Sequence, residues 1–153
     1  MTHPDIARIA AETRTIAVVG LSPKADRPSH GVARFLQDMG YRIIPVNPGH
    51  AGETILGETT YATLSDIPEG ESVDMVDIFR RSESVPAVVD EALKALPGLK
   101  TVWMQIGVMH EGAAEKARAA GVTVVQNRCP KIEYGRLFGE IGWLGVNRGI
   151  VSA

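Results

Sequence analysis

Cysteine, long apolar runs and net charge are all scarce in this chain of 153 residues. A single cysteine, Cys129, excludes an internal disulfide framework and fits a reducing compartment. No apolar run approaches the roughly 20 residues of a membrane-spanning helix, and residues 1–14 lack the pattern of a secretory signal. A net charge of −2 favours neither nucleic acid nor an anionic membrane surface. We therefore expect a soluble cytoplasmic protein.

The loop after the first apolar run lacks the glycines of a dinucleotide-binding turn. Where G-x-G-x-x-G is usual, residues 20–31 read GLSPKADRPSHG. The second predicted strand ends in "VNP", residues 46–48, where NAD enzymes normally have Asp or Glu to accept from the ribose hydroxyls. NAD binding is therefore disfavoured, whereas NADP binding through an arginine at this edge stays open.

Metal-ligand spacings and a nucleophile–base constellation are also absent from the sequence. Asp74 and Asp77 are at i and i+3 of one strand, on opposite faces, so we do not expect an acid/base pair. Cys129 is either a reactive thiol or a buried structural cysteine. His30 either lines a polar site or has no role, and His110 is predicted to begin a helix.

Apolar runs alternate with helical patterns along the chain. Five short runs rich in β-branched residues are typical of strands buried on both faces of a parallel sheet: residues 15–19, 41–46, 73–79, 101–106 and 122–127. Helical periodicity predicts helices at 4–13, from an N-cap at Ser29 to Gly40, at 85–96 and at 111–120. Between the second and third runs we expect turns and at most one helical turn, at 64–67.

This alternation predicts an α/β fold: one Rossmann-like domain with a doubly wound, parallel five-stranded sheet. The domain is expected to span residues 1–153, with its core at about 15–130, a leading helix at 4–13 and a C-terminal extension at 131–153. In such sheets, ligands bind outside the carboxyl ends of the strands, beside the first strand.

Basic side chains collect in three of the loops at that predicted edge. They are Lys24 and Arg27, Arg80 and Arg81, and Arg128 and Lys131, partly offset by Asp26, Glu83 and Glu133. A polyanionic ligand explains the clustering, since phosphate makes charge-assisted hydrogen bonds with such groups. The alternative is solvated surface charge. Ser29 at a helix start is either a phosphate contact or only a cap.

Several stretches together resemble the small stand-alone CoA-binding domain proteins, the YccU-like group. That group is similar to the N-terminal CoA-binding domain of the succinyl-CoA synthetase alpha subunit. The resemblance covers roughly residues 4–140 and rests on "VVGLSPKADRPSHGVARFL", "GYRIIPVNP", "TLSDIP", "VDMVDIFRRSE", "WMQIGV" and "QNRCPKIEYGR".

The resemblance implies a coenzyme A site across the loop after the first strand. It implies that Gly20, Ser22, Lys24, Arg27 and Ser29 surround the phosphates of the ADP portion and that Arg42 is a further basic contact. It also implies that the remainder of the site is formed by Asn47, Pro48, Phe79, Arg80, Met104, Gln105, Ile106 and Asn127, with Pro130 in the last turn.

One departure separates the chain from the synthetase subunit, which continues into a second domain with a phosphorylated histidine. Ligase activity is therefore not expected. The predicted function is non-catalytic binding of coenzyme A or an acyl-CoA. The alternatives are an NADP-dependent or CoA-using enzyme that acts with a partner subunit, and a regulatory domain that senses acyl-CoA. The terminal stretch, with Trp143, Leu144, Ile150 and Val151, either packs on the domain or contacts a protein partner or second subunit.

Overall fold

A computed structural model describes residues 5–141, with side chains to residue 137. The elements in chain order are α1 (Ile6–Glu12), β1 (Thr15–Val19), α2 (Pro28–Asp38), β2 (Arg42–Val46), β3 (Thr54–Ile55), β4 (Glu58–Thr59), β5 (Met75–Ile78), α3 (Val85–Ala95), β6 (Thr101–Met104), α4 (Glu111–Ala119), β7 (Thr123–Val125) and α5 (Pro130–Ile141). Single 3-10 turns lie at Pro48–His50, Leu64–Asp66 and Ser82–Ser84.

The main sheet has five strands in the order β2-β1-β5-β6-β7, and each neighbouring pair is parallel. The predicted fold class is therefore confirmed. All five predicted runs contain a strand, because their residues are buried on both faces of the sheet. After β1 the chain moves to β2 on one side, and after β5 it moves to β6 on the other side. The loops after β1 and β5 therefore diverge and leave a crevice between them.

Helices cover both faces of the sheet. On one face, α3 and α4 pack against a core that includes Ala17, Val76 and Val102. On the other, α1, α2 and α5 pack against a core that includes Ile16 and Trp103. Successive residues of each strand point to opposite faces of the sheet, so the neighbours Ile16 and Ala17 belong to different cores. Among residues 5–141, no helix is both long and apolar enough to span a membrane.

Helix α5 and the strands β3 and β4 were not predicted from the sequence. Helix α5 occupies the beginning of the segment that was expected to be an extension, and its Tyr134 is fully buried edge-on against Trp103, with ring centroids 5.9 Å apart. The predicted turn segment contains the antiparallel pair β3–β4. Trp143, Leu144, Ile150 and Val151, and the subunit contact suggested for them, lie outside the described residues.

Candidate functional site

Gly20 forms the turn at the carboxyl end of β1. Its φ is +88°, and a Cβ there would lie 2.2 Å from the carbonyl oxygen of Phe79. Its N–H donates to Val46 O at 2.8 Å, and the Phe79 N–H donates to Val19 O at 2.8 Å. Only glycine lets the backbone approach this closely. The first residues of the loops after β1 and β5 therefore lie against each other at Gly20, next to the end of β2, before these two loops diverge.

Serine side chains hold the loop after Gly20 in place. The Ser22 N–H donates to Ser29 Oγ at 3.0 Å, and the Lys24 N–H donates to Ser22 Oγ at 3.1 Å. Asn47 Nδ2 donates to Leu21 O at 3.0 Å, which joins the loop to the end of β2. These bonds fix the backbone of the loop while the side chain of Lys24 stays exposed.

Ser29 is not the N-cap that the sequence predicted. Helix α2 begins at Pro28, its N-cap is Arg27, and no side chain caps it by a hydrogen bond. Proline is favoured at this position because its missing N–H would have no partner within the helix. Ser29 is instead buried in the first turn, where its oxygen accepts from Ser22. The amino end of α2 therefore keeps its partial positive charge for a ligand.

These elements enclose a cleft of about 370 Å³, called here the cation cleft. Its lining residues are Gly20, Ser22, Lys24, Arg27, Pro28, Ser29, His50 and Phe79. The structure thus brings together six residues predicted from sequence, and it adds Pro28 and His50. His50 was missed because it lies in a turn-rich segment without periodicity, and its Nδ1 lies 3.0 Å from Glu53 Oε2.

The basic side chains around the cation cleft form no ion pair with any described acidic side chain. Among residues 5–137, no carboxylate oxygen lies within 4.0 Å of the side-chain nitrogens of Lys24, Arg27, Arg80 or Arg81. Several cations elsewhere are paired with a carboxylate: Arg118, for example, lies 2.9 Å from Glu111. The Arg80 side chain also lies against the turn, since its Cδ would be 3.3 Å from a Cβ at position 20. Within residues 5–137, these cations are therefore free of ion pairs, although Asp26 and Glu83 in the same loops partly offset their charge.

Arg42 does not belong to this cleft, contrary to the prediction. It begins β2 and pairs in register with Thr15, at the opposite end of the sheet from Gly20. The two ends of a five-residue strand are about 13 Å apart. Arg42 instead contacts Glu58, at 3.4 Å, and Glu71, at 3.0 Å, and the guanidinium holds the pKa of Glu71 below its usual range. Its role here is to join the β3–β4 segment to the sheet.

The other predicted residues occupy different positions on the carboxyl edge. Asn47 is partly buried, and Pro48 is exposed at the start of its 3-10 turn. Met104 is fully buried in the core and cannot touch a ligand at the surface. Gln105 is also buried, and its Oε1 has no hydrogen-bond partner among the described residues. The cleft thus receives only part of the predicted set.

Ile106 and Asn127 line a second depression of about 1100 Å³, called here the wide groove. Asn127 has a φ of +57°, a conformation that asparagine tolerates, and its Oδ1 accepts from the Gly107 N–H at 2.7 Å. Ser82 Oγ accepts from the Met109 N–H at 3.0 Å. The loops after β5, β6 and β7 are thereby tied into one surface.

The groups considered for chemistry have structural surroundings. Asp74 Oδ2 accepts from the N–H groups of Arg14 and Thr15, at 2.8 and 3.0 Å, and so anchors the start of β1. His110 is the N-cap of α4, as predicted, and its Nδ1 accepts from the Ala113 N–H at 3.1 Å. Cys129 is 8% exposed, which favours the structural interpretation.

Asp77 is a fully buried carboxyl group in the central strand β5. It pairs in register with Val18 and Trp103, and neither of its oxygens has a hydrogen-bond partner among the described residues. Burial raises the pKa of Asp77 well above its ordinary value, because the charged form would lose its hydration. Burial therefore favours the neutral form of Asp77 in the folded chain.

This buried carboxyl predicts a specific pH dependence of stability. The unfolded chain ionises Asp77 above about pH 4, whereas the folded chain keeps it protonated, so its contribution to stability is complete below that pH and is lost as the pH rises toward the raised pKa. Relative to Asp77→Asn, wild type should lose up to about 1.4 kcal/mol of unfolding free energy per pH unit. Urea unfolding between about pH 4 and pH 7 measures this.

The control is Asp26→Asn, at an exposed position without an ion pair among the described residues. Its stability should run parallel to that of wild type over the same pH range. The neutral amide introduced by Asp77→Asn leaves unpaired donors, but that cost does not vary with pH. Parallel curves for wild type and Asp77→Asn would mean that the buried carboxyl is ionised in the fold.

Comparison with known proteins identifies relatives over most of the chain. Residues 14–135 match a protein family described as a CoA binding domain. YneT of Bacillus subtilis is 38% identical over 130 residues, which are 85% of this chain and 92% of YneT. A Thermus thermophilus structure superposes with a TM-score of 0.82 at 36% identity and covers 90% of this chain and 100% of its own.

A longer protein contains a similar unit. An acetyl-coenzyme A synthetase from Ca. Korarchaeum cryptofilum matches with a TM-score of 0.62 at 26% identity. The match covers 78% of this chain but 27% of the synthetase. The fold described above therefore also occurs as one part of a larger enzyme.

Proposed function

The chain belongs to the CoA-binding domain family, as its motifs predicted, and from that premise we propose that it binds coenzyme A or an acyl-CoA in the cation cleft without catalysing a reaction. Membership of this family supports a CoA-related ligand. The position of the cation cleft supports placing the ligand beside Gly20. Its location beside β1, at the diverging loops, is the usual ligand position in doubly wound sheets.

The observation that carries the proposal is the group of cations without acidic partners around an uncapped helix start. Lys24, Arg27 and Arg80 each keep their hydrogen-bond donors free of carboxylates among the described residues. Coenzyme A has three phosphate groups, so one ligand would satisfy several of these charges together. Charge-assisted hydrogen bonds to phosphate are about twice as strong as neutral ones.

The roles of the individual residues follow from their positions. Lys24 and Arg27 would bind phosphate with charged donors, and the amino end of α2 would add its backbone N–H groups. Phe79 and Pro48 offer partly exposed apolar surface for the adenine ring. Arg80, which lies against Gly20, would close the cleft from the β5 side.

The lining of the cleft supports binding and not catalysis. The oxygens of Ser22 and Ser29 accept backbone N–H groups, and His50 contacts Glu53. Among residues 5–137, no histidine is hydrogen-bonded to either serine, so the activated nucleophile of an acyl-transfer enzyme is not formed there. A location in the cytoplasm stays a prediction from the sequence.

A thermal-shift screen with coenzyme A, acetyl-CoA, NADP and NAD tests the proposed function. A ligand at about 100 times its dissociation constant adds about 2.7 kcal/mol to the unfolding free energy, or roughly 5–10 °C in Tm for a chain of this size. We expect this shift with coenzyme A or acetyl-CoA. A larger shift with NADP would instead favour the NADP-dependent alternative, and no shift with any CoA compound would contradict the proposal.

A further inference from the structure

Three large apolar side chains are exposed on one side of the sheet. They are Ile106 at 58%, Met109 at 53% and Ile132 at 49%, and no other large hydrophobic residue among the described side chains is comparably exposed. All three line the wide groove. Because exposing apolar surface is unfavourable in water, a cluster of this kind indicates a binding surface.

The wide groove runs along the outer strand β7, from Arg8 and Thr123 at its amino end to Ile106 and Asn127. This last part lies on the same edge of the sheet as the cation cleft. The cleft adjoins the end of β1, and the groove adjoins the ends of β6 and β7. With neighbouring strands about 4.8 Å apart, β1 and β7 are roughly 14 Å apart across the sheet. An extended ligand anchored at Gly20 can therefore reach the groove by crossing the loops after β5 and β6.

Between the two depressions, the loop after β6 has no side chain at Gly107, and side-chain hydrogen bonds hold its backbone. Gly107 is exposed, has a φ of +84°, and has open space where a side chain would stand. Its N–H is bound by Asn127, and the neighbouring Met109 N–H is bound by Ser82. The backbone here is fixed and no side chain of Gly107 obstructs the path.

The charges of the groove do not favour a second phosphate group. Arg118 lies 2.9 Å from Glu111, and Arg128 lies 3.4 Å from Glu133. The two charges of each pair neutralise one another, whereas the cations of the cleft form no ion pair within residues 5–137. The groove instead offers exposed apolar surface, formed by Ile106, Met109 and Ile132.

We propose that the wide groove binds the hydrocarbon chain of a medium-chain acyl-CoA whose phosphates occupy the cation cleft. The inference rests on the proposed function and adds the ligand class: an acyl group long enough to cover Ile106, Met109 and Ile132. Burial of each methylene group is worth up to about 0.8 kcal/mol, so affinity depends on acyl length.

Calorimetry with coenzyme A and its acetyl, butyryl, hexanoyl and octanoyl thioesters tests the inference. Each added pair of methylene groups should tighten binding by about threefold to tenfold, since an open groove buries part of the chain surface. The double variant Met109→Ser, Ile132→Ser should bind unacylated coenzyme A like wild type and lose most of the length dependence. Both sites are exposed, so the fold should be retained.

One control variant and two possible outcomes separate this inference from the proposed function. Lys24→Ala with Arg27→Ala should weaken coenzyme A and octanoyl-CoA by the same factor and leave the length dependence intact. Equal affinity for all acyl lengths, with coenzyme A still bound, would overturn the acyl groove alone. Failure of every CoA compound to bind would overturn both.

Other occupants of the groove give different results. A length dependence that persists undiminished in the Met109, Ile132 variant would place the acyl chain elsewhere. A dimer detected by sedimentation velocity, dissociated by this double variant but unaffected by octanoyl-CoA, would assign the apolar surface to a second copy of the chain. Either result overturns the inference.

Discussion

Replacing Lys24 and Arg27 together by alanine is expected to weaken coenzyme A binding by about 1.5 to 3 kcal/mol for each charged hydrogen bond lost. If each side chain makes one such bond, the dissociation constant rises at least about 100-fold. The reason is that neither cation forms an ion pair with a described acidic side chain, so each is free to bind a phosphate group of the ligand. Isothermal titration calorimetry measures the change.

A matched charge change provides the control. Lys94 and Lys116 lie on α3 and α4, away from the cation cleft, and their replacement by alanine removes the same net charge. This second double variant should bind coenzyme A within about twofold of wild type, since distant exposed charges are screened by salt. Equal losses in both double variants would show that net charge, and not the cleft, governs binding.

The stability of the Lys24, Arg27 double variant shows whether a loss of binding results from unfolding. Both side chains are exposed, so the unfolding free energy should change by no more than about 0.5 kcal/mol. The affinity of wild type should also fall with rising salt more steeply than that of the variant, because ionic screening acts on the charges that were removed. An unchanged affinity in a folded variant would reject this loop as the phosphate site.

Replacing Gly20 by alanine is expected to destabilise the fold by about 2 to 5 kcal/mol. A side chain at φ +88° costs roughly 1 to 2 kcal/mol, and overlap with a packed neighbour adds about 1 to 3 kcal/mol. The overlap is severe because a Cβ would lie 2.2 Å from Phe79 O, a backbone atom that cannot rotate away. Urea unfolding measures the loss, and calorimetry should show weakened coenzyme A binding.

Gly121 offers a control with nearly the same backbone conformation. Its φ is +87°, but nothing lies within 4 Å of a Cβ built there. Gly121→Ala should therefore cost only the conformational part, about 1 to 2 kcal/mol, and leave binding intact. The difference between the two variants isolates the contact between the loops after β1 and β5. Equal costs would mean that this close approach is relaxed in solution.

The main sheet was predictable because its strands are buried on both faces. Residues 15–19 form a near-continuous apolar run and are β1 without change of boundary. Helix α3 was predicted from the spacing of its apolar residues, and α4 from a run of small residues ended by Gly121. Both helices face one core. Helix α5 was missed because a contact that is distant in sequence holds it on the sheet. Its Tyr134 packs against Trp103, which lies 31 positions earlier in the chain.

The candidate site was only partly predictable. Lys24 and Arg27 are close to Gly20 in sequence and remain close in space. Arg42 has the same charge, but a strand separates it from the cleft and two glutamates surround it. Ser29 was predicted as a cap and is instead a buried acceptor, because Pro28 already begins the helix. Residue type and proximity in sequence do not encode these contacts.

From its amino acids, the protein could be recognised as a parallel α/β domain with a basic loop after the first strand, since periodicity and local charge are properties of neighbouring residues. Which cations lack a partner, and which apolar side chains share a groove, depended on folding. Ion pairs and grooves form between segments that are distant along the chain, and their meeting is set by the order of strands in the sheet and the packing of helices on it.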